Sequence, residues 1–206
     1  MNMNKCIIFV YLFNNYSGSP KVLRQVIEFF VRENFFVRLI TNRTEGFLSN
    51  IDGVDYEYVD YGWSENKIYT FIRFFIAQFQ LFLKMIRLRG NNEVVYINTI
   101  TPIGALYGSK FKKLKTVCHV HENYIDKNIV NRMCEYSFKS VSPKAIFVSD
   151  YLKSRYTEHK NKSVVAYNFL EYDFIKQSIL NNEKSNSKKN NLVLMVCSYR
   201  KFKGIS

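Results

Sequence analysis

CIIFVYLFNNYSGSPKVLRQVIEFF, Cys6 to Phe30, changes its periodicity once, and that change sets the architecture. Cys6 to Leu12 is an unbroken apolar run, the pattern of a strand buried on both faces in a parallel sheet. The run breaks at Asn14-Asn15-Tyr16-Ser17-Gly18-Ser19, and Pro20 suits the first turn of a helix. From there Val22, Leu23, Val26, Ile27 and Phe30 recur at helical spacing, so one face of that helix returns to the sheet. A buried strand, a short turn and a returning helix make the first unit of an alternating α/β chain.

The alternation continues. Strands are expected over residues 35–41, 55–60, 93–98, 114–120, 145–148 and 163–167. Helices are expected over 67–88, 103–110 and 126–139, with a short one capped by Ser149 and Asp150 and running to Tyr156. This spacing specifies a doubly wound, mainly parallel sheet over residues 1–180. Residues 181–191, NNEKSNSKKNN, are polar and lack apolar anchors, so they read as a linker. Beyond it LVLMVCSYRKFKGIS, 192–206, pairs an apolar strand with a basic turn ending in Lys203-Gly204, and reads as the stub of a second domain.

The helix at 67–88 contains IYTFIRFFIAQFQLFLKMI, apolar enough to suggest a membrane span. Two full charges and two Gln interrupt it. Arg73, Gln80, Lys84 and Arg87 recur at steps of seven, four and three, which draws one polar stripe. The expectation is an amphipathic helix packed on the sheet by its apolar face.

Composition is that of a globular protein, 47% hydrophobic and 23% charged in 206 residues. The formal net charge of +13 favours anionic partners, phosphorylated small molecules or an acidic membrane surface among them. No nucleic-acid-binding module accompanies the charge, so nucleic acid is not expected. Cys6, Cys118, Cys134 and Cys197 have neither paired nor metal-ligand spacing, consistent with free thiols and a cytoplasmic protein.

Ligands of such sheets sit beyond the carboxyl ends of the strands, and three strand ends carry polar groups. At the first, Gly18 allows close backbone approach and the helix after it offers unpaired N–H groups to an anion. The plain alternative is an ordinary turn with Ser19 as N-cap. A dinucleotide site is not expected, because the turn has one Gly rather than GxGxxG. At the second, His119-Val120-His121-Glu122 puts both histidines on one face and Glu122 on the other. His119 reads as a core residue, and His121, at the strand end, as the proton carrier or hydrogen-bond donor. The third groups Ser149 and Asn168, which also suit caps and turns. No metal set, Walker loop or nucleophile elbow is visible.

Together these pieces resemble the GT-B glycosyltransferases, and within them the retaining glycosyltransferase family 4. The likeness rests on five segments in order: the Tyr16–Ser19 turn, HVHE (119–122), AIFVSDYLKSRY (145–156), VVAYNFLEYDFI (164–175) and LVLMVCSYRKFKGI (192–205). It implies a Rossmann-like, acceptor-side N-terminal domain followed by the first strand of a donor-binding domain whose remainder is truncated or separately encoded, so that this chain alone is inactive. It further implies metal-independent transfer, with retention, from a nucleotide-sugar to a glycan or lipid-linked acceptor in surface polysaccharide or glycoconjugate synthesis. The nucleotide-sugar is a substrate, and no cofactor is implied.

By that resemblance His121 lies near the transferred sugar, and Gly18, Ser19, Glu122, Ser149 and Asn168 border donor and acceptor. Arg200, Lys203 and Gly204 belong to the loop that grips the diphosphate. The family's usual Arg five residues before the Lys is replaced here by Ser198. A non-catalytic module using the same cleft for an anionic ligand or the inner face of an anionic membrane is the alternative.

Overall fold

The computed structural model describes residues 5–62, 64–89, 92–121, 128–156 and 162–168, together with Lys176. The linker at 181–191, the strand-and-turn at 192–206 with Arg200, Lys203 and Gly204, and Glu122 lie outside the described residues. The chain divides into two compact units, Met1–Asn168 and Phe169–Ser206, and only the first is described in any detail.

Seven strands form one parallel sheet: β1 (Cys6–Val10), β2 (Phe36–Thr41), β3 (Val54–Tyr58), β4 (Glu93–Asn98), β5 (Lys115–Val120), β6 (Lys144–Phe147) and β7 (Ser163–Val165). Their order is β3-β2-β1-β4-β5-β6-β7. Between them run α1 (Gly18–Arg32), α2 (Lys67–Ile86), α3 (Ile103–Phe111), α4 (Ile129–Val141) and α5 (Asp150–Arg155). The chain winds outward from β1 in one direction and then, through β4, in the other. This creates a switch point between β1 and β4.

Alternation along β1 sorts the core. Ile7 and Phe9 pack with Leu23 and Ile27 of α1, whereas Ile8 and Val10 pack with Phe74, Ala77, Leu81 and Met85 of α2. Both sides of the strand are buried, which explains its unbroken apolar sequence.

Helices α2 and α3 pack so closely that a Cβ on Gly104 would lie 1.8 Å from the Gln78 carbonyl oxygen. The buried Gln78 side chain spans the seam: its Oε1 accepts from Gly104 N at 2.9 Å and its Nε2 donates to Thr101 O at 3.2 Å. Asn66 starts α2, its side chain accepting from Ile68 N and Tyr69 N.

The polar stripe of α2 differs from expectation. It runs along the β3 side of the sheet, where Lys84 pairs with Glu57 at 2.5 Å and Arg73 with Asp60 at 3.5 Å. Gln80 Oε1 accepts from Asp60 N at 2.8 Å. The acidic groups at and just beyond the end of the edge strand draw these side chains to the flank. The outward face of the helix is therefore apolar, with Ile68, Ile72, Ile76 and Phe79 exposed. Among the described residues no helix is long and apolar enough to cross a membrane. Cys6, Cys118 and Cys134 form no disulfide among the described residues.

Candidate functional site

The site is built where β1, β4 and β5 end. Asn98, the last residue of β4, is fully buried. Its Nδ2 donates to Ser19 Oγ at 2.9 Å, and its Oδ1 lies 3.0 Å from His121 Nε2. Because Oδ1 only accepts, His121 carries its proton on Nε2 and leaves Nδ1 as an acceptor. One amide thus ties the turn after β1 to the end of β5 across the switch point.

A second pair lies one step below. His119 Nδ1 is 2.7 Å from Tyr96 Oη, and the His119 and His121 rings stand 4.1 Å apart between centroids. Tyr96 and His119 are both buried. Desolvation raises the Tyr96 pKa, so its hydroxyl keeps its proton. The same burial, reinforced by the neighbouring ring of His121, lowers His119 to about 3. Desolvation lowers His121 to about 4. Both rings are neutral at physiological pH. His121 is therefore held as a neutral hydrogen-bonding group rather than a proton carrier poised near pH 7. His119 Nε2 is buried and has no hydrogen-bond partner among the described residues.

The connection out of β4 is strained. Thr99 is β-branched yet adopts φ 71°, a left-handed conformation costly for such a side chain. It is held there because its N–H donates to His119 O at 2.8 Å while its carbonyl accepts from the Cys118 thiol at 3.3 Å.

The turn after β1 is fixed from the other side. Asn14, buried, accepts from Leu48 N and donates to Thr44 O and Ser49 Oγ. Asn42 Oδ1 accepts from Asn14 N at 2.9 Å. Gly46 is required at this seam, since a Cβ there would fall 2.3 Å from Asn15 N.

Ser17, not Ser19, is the N-cap of α1, and no side chain caps the helix through a hydrogen bond. The Ser17 hydroxyl turns to Asn15 Oδ1 instead, at 2.6 Å. Ser19 sits in the first turn, which frees its hydroxyl for Asn98. A Cβ on Gly18 would meet nothing within 4 Å, so the space over the helix N-terminus is open. Positive helix-dipole charge and backbone N–H groups face that space.

Gly18, Ser19 and His121 are therefore brought together. Ser149 and Asn168 take no part in that hydrogen-bond chain. Ser149 caps α5, its Oγ accepting from Leu152 N at 3.2 Å, and it follows β6, which pairs with β5 one strand spacing, or about 5 Å, from the strand that ends at His121. Asn168 is exposed beyond the edge strand β7, about 14 Å from β4 by the same spacing. Asn98 is the residue that sequence reading passes over: it closes the strand EVVYIN, and a polar terminus on an otherwise apolar strand is the signal that marks it.

An apolar cavity of about 440 Å³ opens beside the connection from β3 to α2. Tyr61, Thr70, Phe71, Phe74, Asn128 and Val130 are among its lining residues. Among the described residues no cluster of His, Cys, Asp and Glu could hold a metal.

No family's sequence pattern matches the chain, and no curated protein does. Solved structures do match it. HepE of Anabaena, in complex with UDP and glucose, matches with a TM-score of 0.60 and 13% identity over 86% of this chain and 50% of that one. The chain has the Rossmann-like fold of one half of a GT-B glycosyltransferase. A glycosyltransferase of Rickettsia africae matches the chain with a TM-score of 0.56 and 14% identity, over 89% of this chain and 51% of its own. Glycyrrhiza uralensis UGT73P12, complexed with glycyrrhetinic acid 3-O-monoglucuronide, gives a TM-score of 0.55 and 12% identity, over 80% and 48%. The chain spans about half the length of each.

Proposed function

We propose that this protein is the acceptor-side half of a glycosyltransferase that moves a sugar from a nucleotide-sugar to a glycan or lipid-linked acceptor, with retention at the anomeric carbon. The observation that carries the reading is the Ser19–Asn98–His121 chain at the β1/β4 switch point, beside the open, uncapped N-terminus of α1. Neutral His121 presents its Nδ1 lone pair to hydroxyl groups, which suits orienting a sugar better than carrying charge. The α1 N-terminus favours the anionic side of the donor. The apolar cavity between Phe71, Phe74 and Val130 suits the lipid or hydrophobic part of an acceptor.

The donor contacts, in this reading, are completed by Arg200, Lys203 and Gly204 at the opening of a second, donor-binding half, continued on this chain or supplied by another. Glu122 stands next to His121 in sequence and belongs to the same site. Surface polysaccharide or glycoconjugate synthesis on the cytoplasmic side of a membrane is the setting that fits these substrates. The family 4 assignment rests on the five segments in order, HVHE and the stretch ending in Lys203-Gly204 among them.

The test is transfer itself. The 206-residue chain, and a form joined to a donor-binding half, are assayed for nucleotide release from UDP-, GDP-, ADP- and TDP-sugars with lipid-linked acceptors. The joined form is expected to transfer sugar, the chain alone to be silent, and His121→Ala to abolish transfer in a joined form that still folds, its melting temperature lowered only by the few degrees that orphaning Asn98 Oδ1 costs. Transfer by the chain alone, or an active His121→Ala form, overturns the proposal.

A further inference from the structure

The outward face of α2 carries no charged residue. Ile68, Tyr69, Ile72, Phe75, Ile76 and Phe79 all stand in solvent, with Ile68 73% and Phe79 63% exposed. From Phe75 to Tyr69 they fill an arc of about 120° at 3.6 residues per turn. From Ile68 to Phe79 this face runs about 17 Å along the helix. A surface helix ordinarily turns charged groups to water, and an apolar face of this length marks an interaction surface.

Both margins of the face carry cations. On one side a cleft of about 390 Å³ is lined by Arg43, Lys84 and Arg87 with Asp60 as its one acid, Lys84 being paired with Glu57. On the other, exposed Phe111 at the end of α3 reaches Phe82, with ring centroids 6.2 Å apart, and is flanked in sequence by Lys110, Lys112 and Lys113. From Asn66 to His121 the sequence holds nine Lys or Arg against one acidic residue, Glu93. A second copy docked here would bring like charges together. An anionic lipid surface complements both the apolar arc and its margins, the arc entering the acyl boundary while the cations meet headgroups.

We propose that α2 and the end of α3 form an interfacial docking face by which this domain lies on an anionic bilayer. The face belongs to the helical layer rather than to the strand ends, so it leaves the Ser19–Asn98–His121 site uncovered. The proposal stands independently of the transfer chemistry, because its readout is lipid binding.

The experiment pellets the full chain with phosphatidylcholine vesicles, with and without phosphatidylglycerol, at low and high salt. Pelleting is expected with phosphatidylglycerol, weakening as salt rises. Lys112→Glu and Lys113→Glu should each lower partitioning by about fivefold or more. Ile72→Asp with Phe79→Asp should abolish it while the melting temperature holds, since neither side chain is in the core. Phe79→Ser alone replaces the pair if the double variant does not fold. Absence of pelleting with anionic vesicles, or unchanged pelleting of the apolar-face variant, overturns the proposal. So does a wild-type dimer in sedimentation velocity that the same variant converts to monomer.

Discussion

Asn98→Ala is the substitution that most directly tests how the site is held. The side chain is fully buried and makes two hydrogen bonds, to Ser19 Oγ at 2.9 Å and with His121 Nε2 at 3.0 Å. Removing it leaves both partners unmatched. An orphaned polar group costs about 1–3 kcal/mol, and the lower half of that range applies because Ser19 and His121 are only partly buried. With the small cavity added, the loss is about 3 kcal/mol, which lowers the melting temperature of a domain this size by about 6–12 °C. The assay is thermal unfolding followed by circular dichroism, paired with NMR titration of the histidine rings. A companion variant sharpens it. Asn98→Asp keeps an acceptor against His121 Nε2 but makes it anionic, which should raise the His121 pKa from about 4 by about 1–3 units. A shift below about 3 °C for Asn98→Ala, or a His121 still titrating near 4 in Asn98→Asp, would refute the bridging role.

Other expectations rest on separate observations. Gly18→Ala meets open space, so folding should be preserved within about 0.5 kcal/mol while the added methyl blocks anion approach to the α1 N-terminus; calorimetry with a nucleoside diphosphate-sugar on the joined form checks this. Gly104→Ala forces a methyl onto the Gln78 carbonyl, a backbone clash expected to cost about 3 kcal/mol or more and to appear as lost soluble protein or a collapsed melting transition. Asn66→Ala removes the cap of α2 and should cost about 1 kcal/mol in urea unfolding. The two site histidines have folded values of about 3 and about 4 against 6.5 unfolded, so as pH falls the unfolded chain takes protons first. Their contribution is complete above pH 6.5 and is lost as pH falls towards 4, by up to about 1.4 kcal/mol per pH unit for each ring. His121→Asn should flatten the urea-derived stability slope between pH 6.5 and 4 by about one proton, and an unchanged slope would contradict the buried, neutral assignment.

The fold was legible because its main signal is local. A strand buried on both faces has to be apolar throughout, as Cys6 to Val10 is, and a helix lying on a sheet has to repeat its apolar residues every three or four positions, as α1 does. Glu93–Asn98 could be read to the residue because Asn91 and Asn92 precede it and its apolar run ends at Asn98. That Gly18, Ser19 and His121 lie at one edge of the sheet was legible for a related reason: in a parallel sheet every turn at a strand's carboxyl end falls on the same edge.

Contacts between distant segments were not legible. Nothing in EVVYIN announces that its terminal Asn joins Ser19, 79 positions earlier, to His121, 23 positions later. That pairing exists only once β4 lies between β1 and β5. The proton affinity of His121 was hidden as well, since desolvation is set by what packs around the ring rather than by its neighbours in sequence. The α2 stripe makes the same point from the surface. Its sequence shows one polar line and two apolar arcs, and a helix alone does not say which arc faces the core. Packing against Gly104 and Gly108 chose one arc, Glu57 and Asp60 drew the polar line to the sheet edge, and the remaining apolar face was left turned outward.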